Sequence, residues 1–561
     1  MPIETIPYSE AQTNSPDLNG LLDVACSPEA RSSAIRAMRE LWTSKKTQKY
    51  FGDLVKLIDA SPWKDSGFGT YFATVANMKT TYGLRVLPKV NAAFGSNWLN
   101  PVELGSGVGT IEPFPGFINL LSEGSNRPDL NTQYDSPGGT YPSRWAGATI
   151  LNAKISPEVA SDPVFTYKDT YITPSSTYAI DIAYEAFARL TQQEKLRNNR
   201  VVLVGTSYYV LALSAKDKML PVSRVTAPYS GEAPRKFFPS PAELSANLPE
   251  DTGMIVLTLP NNPNGETYGN VELKQLFQLA KDRGIYILLD VVFDQLWFSE
   301  VNQDYANPLK MALEVGVLDQ VIVVDGLSKS LNLAGERIGI VATKNAQLER
   351  LINSISISRL SNPSLTVEPL LQFEAISRVL DRFEVSRAPL EEFGSLLGTV
   401  RVRADLQKVT GSQWLEAFPD SQLISWYQKR QEWLAFAMKY YADNLTIIRE
   451  ILAGDKRRVV GSPDKAAYNT FIGFGETNQN AGFDKLLKLF LLTGIVAMSG
   501  QCFGLQSPEA EFWTRITYGG LSRKKLPEAL TRLLGFLDLW DEMDLGNPQK
   551  FPVFDTKFPI I

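Results

Sequence analysis

Short hydrophobic runs alternate with helical patterns between residues 165 and 345. Each run ends in a polar or glycine-containing turn, and the runs in order are TYIT, RVVLV, MIVLTL, YILL and QVIVV. Ile180, Ala183, Tyr184 and Phe187 follow the first run at helical spacing. Continuous Val/Ile/Leu strands that alternate with helices are typical of a mainly parallel sheet with helices on both faces. The pattern therefore predicts an α/β fold, with a ligand site beyond the carboxyl ends of the strands.

The flanking segments follow other patterns. The first hundred residues contain helical stretches such as RSSAIRAMRELW, and the region after the alternating runs is almost wholly helical in pattern. Towards the C-terminus the pattern is mixed again, as expected of a second α/β domain. The sequence thus predicts a helical N-terminal extension (1–100), a large domain (101–345), a helical linker or insertion (346–450), a small α/β domain (451–545) and a tail (546–561).

The composition limits the class of protein. A chain of 561 residues is longer than the ~250 to 300 residues at which single cores stop growing, so we expect more than one core. The formal charge of -5 is small for this length, which favours neither a nucleic-acid nor an anionic membrane partner. Cys26 and Cys502 are the only cysteines, which indicates a reducing compartment. With no secretory signal pattern at the start and no apolar run long enough to span a bilayer, we expect a cytoplasmic protein.

The chain contains no histidine. This excludes a Ser-His-Asp triad, a Cys-His dyad and any metal site that needs histidine, and two distant cysteines cannot form a zinc cluster. We expect no metal site, and proton transfer falls to Lys, Asp, Glu, Tyr or a cofactor.

Lys329 and Arg337 stand together in DGLSKSLNLAGERIG, directly after the run QVIVV. An arbitrary lysine is usually a solvated surface residue. A lysine at a strand end, among small residues and near an arginine, is instead suited to forming a Schiff base. Partial desolvation lowers the pKa of such an amine, while the arginine can hold an anion such as phosphate.

This segment resembles the Schiff-base segment of fold-type I pyridoxal-phosphate enzymes of the class I/II aminotransferase family. That pattern runs Ser-x-Ser-Lys, followed by a glycine and an arginine before a strand. Further motifs follow in the order of the family across roughly 100–345 and 440–535. The resemblance implies pyridoxal 5′-phosphate as cofactor, with Lys329 as its Schiff-base lysine and Ser328 and Arg337 among the cofactor contacts.

Three more motifs resemble family segments around the cofactor ring. TLPNNPNG implies that Asn262 contacts the phenolic oxygen, although an ordinary Asn/Pro/Gly turn has the same residues. ILLDVVF places Asp290 where the family keeps a carboxylate against the pyridine nitrogen, the alternative being a helix cap. VGTSYY implies that Tyr208 stacks on the ring, whereas core packing is the common role of a tyrosine at a strand end.

The phosphate and the substrate have their own motifs. TPSSTYAI resembles the turn that opens a helix towards the phosphate, so Ser176 and Thr177 would donate there, or form a plain N-cap. YDSPGGTYPSR implies that Tyr134 reaches the phosphate of a neighbouring subunit, and hence a homodimer. VELGSGVGTIEPFP resembles the glycine segment on the substrate side, with Gly107 as the match. FWTRITYGG implies that Arg515 binds the substrate α-carboxylate bidentately.

Two positions depart from the family pattern. Gly326 stands where the family often has a serine, so one phosphate ligand is missing or supplied elsewhere. Phe293 stands three residues after Asp290, where the family usually has a tyrosine beside the cofactor, so the resemblance implies that a hydroxyl to the phenolic oxygen is absent.

The resemblance implies an aminotransferase that moves an amino group from an amino acid to a 2-oxo acid. Phe293 and the helical insertion leave open a lyase, decarboxylase or oxidase that uses the same cofactor. A non-catalytic regulator that senses amines is a further alternative. Residues 1–100 show neither a helix-turn-helix pattern nor the basic balance that a DNA-binding regulator would need.

Overall fold

The computed structural model of the 561-residue chain describes most of the chain in separate ranges. The described residues are 6–7, 28–45, 49, 101–126, 136–155, 163–228, 233–297, 307–360, 365–382, 419–455, 459–462, 466–476, 481–505 and 511–545.

These ranges contain thirteen strands and thirteen α-helices. The strands are β1 Val102–Glu103, β2 Thr170–Thr173, β3 Arg200–Val204, β4 Val222–Val225, β5 Thr252–Thr258, β6 Tyr286–Asp290, β7 Val321–Gly326, β8 Gly339–Thr343, β9 Val459–Gly461, β10 Asn469–Glu476, β11 Ile495–Val496, β12 Met498–Ser499 and β13 Glu511–Thr517. The helices are α1 Pro28–Thr43, α2 Pro115–Ser125, α3 Tyr141–Ile155, α4 Ser176–Gln193, α5 Tyr209–Asp217, α6 Pro241–Asn247, α7 Asn270–Arg283, α8 Pro308–Val315, α9 Ala346–Arg359, α10 Glu368–Arg382, α11 Asp420–Ala453, α12 Ala481–Thr493 and α13 Lys525–Met543.

The main sheet has seven strands in the order β2-β8-β7-β6-β5-β3-β4. Strand β8 runs antiparallel to both of its neighbours, and every other pair is parallel. Alternate residues face two separate hydrophobic clusters: Val202 and Ile255 belong to one, and Val201 and Met254 to the other. The predicted mainly parallel sheet, buried on both faces, is therefore confirmed.

Helices α4 and α7 show why the chain folds locally as its sequence predicts. Helix α4 buries the predicted hydrophobic stripe, and the Ser175 side chain caps it by accepting the N–H of Tyr178. Helix α7 ends at Gly284, which is in the left-handed conformation with φ 64°. Together these caps set the directions in which the chain enters and leaves the helices beside the sheet.

A second, smaller sheet is formed by the C-terminal part of the chain. Its four strands are antiparallel in the order β12-β13-β10-β9. Strand β1 pairs in parallel with β11, so residues 102–103 contact this C-terminal part of the chain. Arg31 of α1 bonds Asp538 of α13, with 2.6 Å between Nε and Oδ2, and so ties the N-terminal helix to the same part.

The segment predicted to be a helical insertion is helical where it is described. Helix α10 and the 34-residue helix α11 pack through a buried ion cluster, in which Arg430 bonds Glu374 and Asp381. Helix α11 continues into the site region described below. Within the described residues, no helix combines the length and apolar character needed to cross a bilayer.

Candidate active site

Three of the predicted site residues lie at the carboxyl ends of adjacent parallel strands. Asp290 ends β6 and pairs in register with Thr258 at the end of β5 and with Val324 in β7. Asn262 follows β5 by four residues, and Lys329 follows β7 by three residues. The strand register therefore brings these three residues to one edge of the sheet.

The amine of Lys329 lies inside this edge. Its Nζ donates a hydrogen bond to the carbonyl oxygen of Gly107 at 2.7 Å. Burial, followed by the positive charges of Arg515 and Arg337, lowers the pKa of Lys329 from 10.5 to about 8, while the carboxylate of Asp290 acts in the opposite direction. A lysine with such a pKa is partly neutral near physiological pH, and the neutral amine is the nucleophilic form.

Asp290 is buried at the same edge. Its Oδ1 accepts a hydrogen bond from the backbone N–H of Val292 at 3.2 Å. The pKa of Asp290 is raised to about 6, because burial and the neighbouring Asp325 raise it more than the Val292 hydrogen bond, Lys329 and Lys154 lower it. A cation placed against a carboxyl group with a raised pKa strongly favours its ionised form.

A buried ion cluster lies next to Asp290. Lys154, near the end of α3, places its Nζ 3.0 Å from Oδ2 of Asp294 and 2.8 Å from Oδ2 of Asp325, and all three side chains are at most 7 % exposed. Sequence reasoning missed this cluster. Asp294 and Asp325 do stand four residues from Asp290 and Lys329, but Lys154 comes from a distant helix without a recognisable motif.

Arg515 reaches the site from β13 of the small sheet. One terminal nitrogen donates to Oδ1 of Asn262 at 2.9 Å, and the other donates to the carbonyl oxygen of Gly105. Its guanidinium lies 5.0 Å from the ring centroid of Phe503. Gly107 packs against it: a Cβ at position 107 would lie 3.0 Å from a guanidinium nitrogen, and φ there is +63°. The structure thus brings together three candidate residues from separate motifs, Arg515, Gly107 and Asn262.

The start of α4 packs closely against the last residue of β7 and the first residue of β8. The hydroxyl of Ser176 donates to the carbonyl oxygen of Asp325 at 3.0 Å. A Cβ at Gly326 would lie 2.3 Å from this hydroxyl, and a Cβ at Gly339 would lie 2.3 Å from the carbonyl carbon of Ser175. The departure at position 326 therefore has a steric reason, because Ser176 occupies the space that a serine side chain would need.

The remaining predicted phosphate contacts differ in their surroundings. Ser328 is buried, whereas Thr177 and Arg337 are exposed. Arg337 has a left-handed backbone with φ 55°, and one guanidinium nitrogen lies 3.4 Å from the carbonyl oxygen of Ala334. Tyr134 lies outside the described residues, so its predicted role across a dimer interface stays a prediction.

Two tyrosines stand side by side where α5 begins. The rings of Tyr208 and Tyr209 have centroids 4.6 Å apart, and both side chains are partly buried. Burial and the neighbouring Tyr208 raise the pKa of Tyr209, while the charge of Arg515 acts against this rise. Tyr209 is therefore a second candidate for a ring contact, and the doubled YY in the sequence was the signal for it.

Tyr468 is a site residue that the sequence did not predict. It precedes β10, is fully buried and donates its hydroxyl to the carbonyl oxygen of Gly107 at 3.2 Å. Its ring meets the ring of Phe293 edge to face, with 5.6 Å between centroids. The same carbonyl also accepts from Lys329, so the two donors share one oxygen atom.

The fold and site define an α/β protein with a lysine, a buried aspartate and an arginine at the carboxyl ends of a mainly parallel sheet. Residues 221–533 match the family model described as aminotransferase class I and II, which is more than half of the chain. The chain belongs to this family.

Solved structures show the same fold. The aspartate aminotransferase of Thermus thermophilus with maleate aligns with a TM-score of 0.55 and 16% identity, covering 80% of this chain and 95% of that chain. Bna3p of Saccharomyces cerevisiae, described as a putative kynurenine aminotransferase, aligns with a TM-score of 0.58 and 16% identity, covering 81% and 94%. The predicted aminotransferase fold type I is confirmed.

Two curated relatives share about a quarter of their aligned residues with this chain. An aspartate aminotransferase of Sulfurisphaera tokodaii is 25% identical over 246 residues, which cover 42% of this chain and 57% of that protein. The S-alkyl-thiohydroximate lyase SUR1 of Arabidopsis thaliana is 23% identical over 436 residues, 76% of each chain. The chain spans 57% and 64% of the lengths of two aspartate aminotransferases that it matches.

Proposed function

We propose that this protein is a pyridoxal 5′-phosphate-dependent enzyme that transfers the amino group of an amino acid to a 2-oxo acid. The observation that carries the proposal is the Lys329 amine, 2.7 Å from the Gly107 carbonyl and beside both Asp290 and Arg515. Membership of the aminotransferase class I and II family and the shared fold support it.

The donor groups present fit this cofactor. An aldehyde reacts with a neutral amine, and the lowered pKa of Lys329 makes part of its amine neutral near physiological pH. A pyridine nitrogen needs a carboxylate, and buried Asp290 offers one at this edge, while Asp294 and Asp325 beside it pair with Lys154. A phosphate needs a helix N-terminus with hydroxyl and cationic groups, for which the start of α4 with Ser176 and the nearby Arg337 are suited.

When bound, pyridoxal phosphate withdraws electrons from the substrate Cα through its ring. Lys329 would hold the cofactor and, once its amine is released, move the proton at the substrate Cα. Asp290 would hold the proton on the ring nitrogen, and Asn262 would bond the phenolic oxygen. Arg515 would bind and orient the substrate carboxylate, with Gly107 leaving room for it.

The other cofactor contacts carry less support and are proposed from the family pattern. Tyr208 would stack on the ring, and Ser328 and Thr177 would join Ser176 at the phosphate. Tyr134 would reach the phosphate of a partner subunit, so we propose a homodimer. We also propose a cytoplasmic location, because a chain of this length with two cysteines is typical of a reducing compartment.

A lyase that uses the same cofactor is the second candidate. Phe293 lacks the tyrosine hydroxyl typical of the family. In addition, the Arabidopsis thaliana relative SUR1, whose alignment covers 76% of its length, is named as a lyase. Decarboxylases and oxidases of the same fold share the residues described here. A regulator that only senses amines is the remote alternative.

Product analysis separates these activities. The cofactor-loaded protein is supplied with a panel of amino acids, with and without 2-oxo acids, and the products are identified by mass spectrometry. Formation of a new amino acid, with a keto acid and neither ammonia nor carbon dioxide, is the expected result. Ammonia indicates a lyase or, with consumption of oxygen, an oxidase, and carbon dioxide indicates a decarboxylase. No turnover of any amino donor would overturn the proposal and favour the regulator.

A further inference from the structure

Phe293 lacks a hydroxyl at a position beside the proposed cofactor ring, and the surrounding structure supplies another one. Phe293 is buried after β6, and the ring of Tyr468 approaches it edge to face with 5.6 Å between centroids. The two residues are 175 positions apart in the chain, so their contact is a property of the fold. A phenol therefore lies next to the residue that lacks one.

The hydroxyl of Tyr468 shares a hydrogen-bond acceptor with the reactive amine of Lys329. It donates to the carbonyl oxygen of Gly107 at 3.2 Å, and Nζ of Lys329 donates to the same oxygen at 2.7 Å. Because a carbonyl oxygen has two lone pairs, both donors can bond it at once. The shared acceptor places the phenol near the amine, although Lys329 follows a strand of the main sheet and Tyr468 precedes a strand of the smaller one.

The backbone around Tyr468 is held in an unfavourable conformation. Ala467 has φ 68°, in the left-handed region that residues with a Cβ rarely adopt. Its N–H donates to the carbonyl oxygen of Leu296 at 2.6 Å, and the Tyr468 carbonyl accepts from the backbone N–H of Tyr518 at 3.0 Å. Strained backbone of this kind clusters at functional sites, where the surroundings fix it. Here the two hydrogen bonds hold the backbone at Ala467 and Tyr468.

We infer that Tyr468 supplies the hydrogen-bond donor that Phe293 lacks: when the cofactor is bound beside Lys329, its single hydroxyl proton turns from the Gly107 carbonyl to the phenolic oxygen. The inference rests on the proposed function, because it needs pyridoxal phosphate linked to this lysine. Tyr468, from the small C-terminal part, would then join Asn262 in stabilising the negative charge of the phenolic oxygen.

The electrostatic surroundings of Tyr468 agree with a donor role. Burial, followed by the neighbouring Tyr441, raises the pKa of Tyr468 well above its ordinary value, and the charge of Arg515 acts against this rise. The phenol therefore keeps its proton across the neutral range. The groups that face Lys329 itself are Arg515, Arg337 and Asp290, and the Tyr468 variants described below leave all three in place.

The test follows the visible absorption band of the lysine-linked cofactor as the pH changes. A donor to the phenolic oxygen stabilises its negative charge and so lowers the pH at which the linked nitrogen loses its proton. Tyr468→Phe should raise this midpoint by about one pH unit, the size expected for one hydrogen bond to a charged group. Adding Phe293→Tyr to that variant should bring the midpoint back towards the original value, whereas Phe293→Tyr alone should change it little.

Tyr441→Phe is the matched control. It also removes one buried hydroxyl, from a ring 5.3 Å from that of Tyr468, but this hydroxyl bonds Asn332 instead of Gly107. Its midpoint should stay at the original value. The inference is overturned if Tyr468→Phe leaves the midpoint unchanged, or if Phe293→Tyr alone lowers it by a full unit. If Tyr468→Phe fails to fold, the midpoint of Phe293→Tyr alone decides between the two outcomes. A protein that shows no visible band would instead contradict the proposed function.

Discussion

Lys154 and Asp325 form a buried ion pair beneath the candidate site, with 2.8 Å between Nζ and Oδ2. Asp325 lies at the end of the strand that leads to Lys329, and its charge raises the pKa of Asp290 while Lys154 lowers it. A cation from helix α3 therefore balances the carboxylates on which the electrostatics of the site depend.

Replacing Lys154 by Met should destabilise the fold strongly. Removing one partner of a buried ion pair typically costs about 3–5 kcal/mol, because the remaining charge stays buried. We expect a fall of this size in the free energy of unfolding, measured by urea denaturation. Lys274→Met is the control, since Lys274 pairs with Glu314 on the surface at 2.7 Å and its loss should change little. Equal effects of the two variants would contradict a special role for the buried pair.

Gly326→Ser introduces the residue that the family often has, and we expect it to be harmful here. The new Cβ would lie 2.3 Å from the Ser176 hydroxyl and 2.7 Å from the Ile338 carbonyl oxygen. Overpacking of this kind costs about 1–3 kcal/mol, and displacement of Ser176 should weaken retention of pyridoxal phosphate. Thermal unfolding and cofactor dissociation measure the two effects. Gly335→Ala, in an open part of the same loop, should alter neither.

The reactivity of Lys329 in the cofactor-free protein should follow its lowered pKa. Only the neutral amine is nucleophilic, so the rate of reaction with a small acylating reagent should rise with pH and level off above a midpoint of about 8. Arg515→Met removes a repelling positive charge and should move this midpoint up. Asp290→Asn removes an attracting negative charge and should move it down. Peptide mass spectrometry reports the modification at each pH, and a midpoint near 10.5 would show that the amine is fully solvated.

Arg515→Lys should separate substrate binding from cofactor binding. Loss of a charged hydrogen bond costs about 1.5–3 kcal/mol, so the KM for the amino acid should rise roughly 10- to 150-fold. Lysine keeps the charge but not the planar pair of donors. The visible band of the bound cofactor should persist. A variant that loses the band would show that Arg515 supports the fold of the site, through its 2.9 Å bond to Asn262, and that its role is not substrate binding.

Residues near the ends of the hydrophobic runs were the ones that the sequence could locate. Asp290, Asn262 and Lys329 follow strands whose Val/Ile/Leu content predicts them, and parallel register then brings their side chains together. Strand β4 was not predicted because its sequence, VSRV, places Ser and Arg at an edge of the sheet. Three of its four residues are only partly buried, so β4 lacks the continuous burial that gives a hydrophobic run.

Lys154 and Tyr468 could not be found in this way. Each comes from a segment remote from the motifs, and a single lysine or tyrosine carries no local signature. Their roles depend on tertiary contacts, of Lys154 with Asp325 and of Tyr468 with the Gly107 carbonyl. The sequence did reveal that a hydroxyl was absent at Phe293, but only the fold could show a phenol beside it.

Helix α11 has a consequence for how the site tolerates change elsewhere in the chain. Trp433 donates to the Glu112 carbonyl at 2.9 Å, Tyr441 accepts from Asn332 at 2.9 Å, and Asn444 donates to the Tyr518 carbonyl at 2.8 Å. The contacted residues Glu112, Asn332 and Tyr518 lie close in sequence to Gly107, Lys329 and Arg515. All three contacts come from one helix about 50 Å long. One helix thus fixes the distances between the three segments that carry these site residues. Loops elsewhere in the chain can then gain or lose residues over evolutionary time while the spacing of the three site residues is preserved.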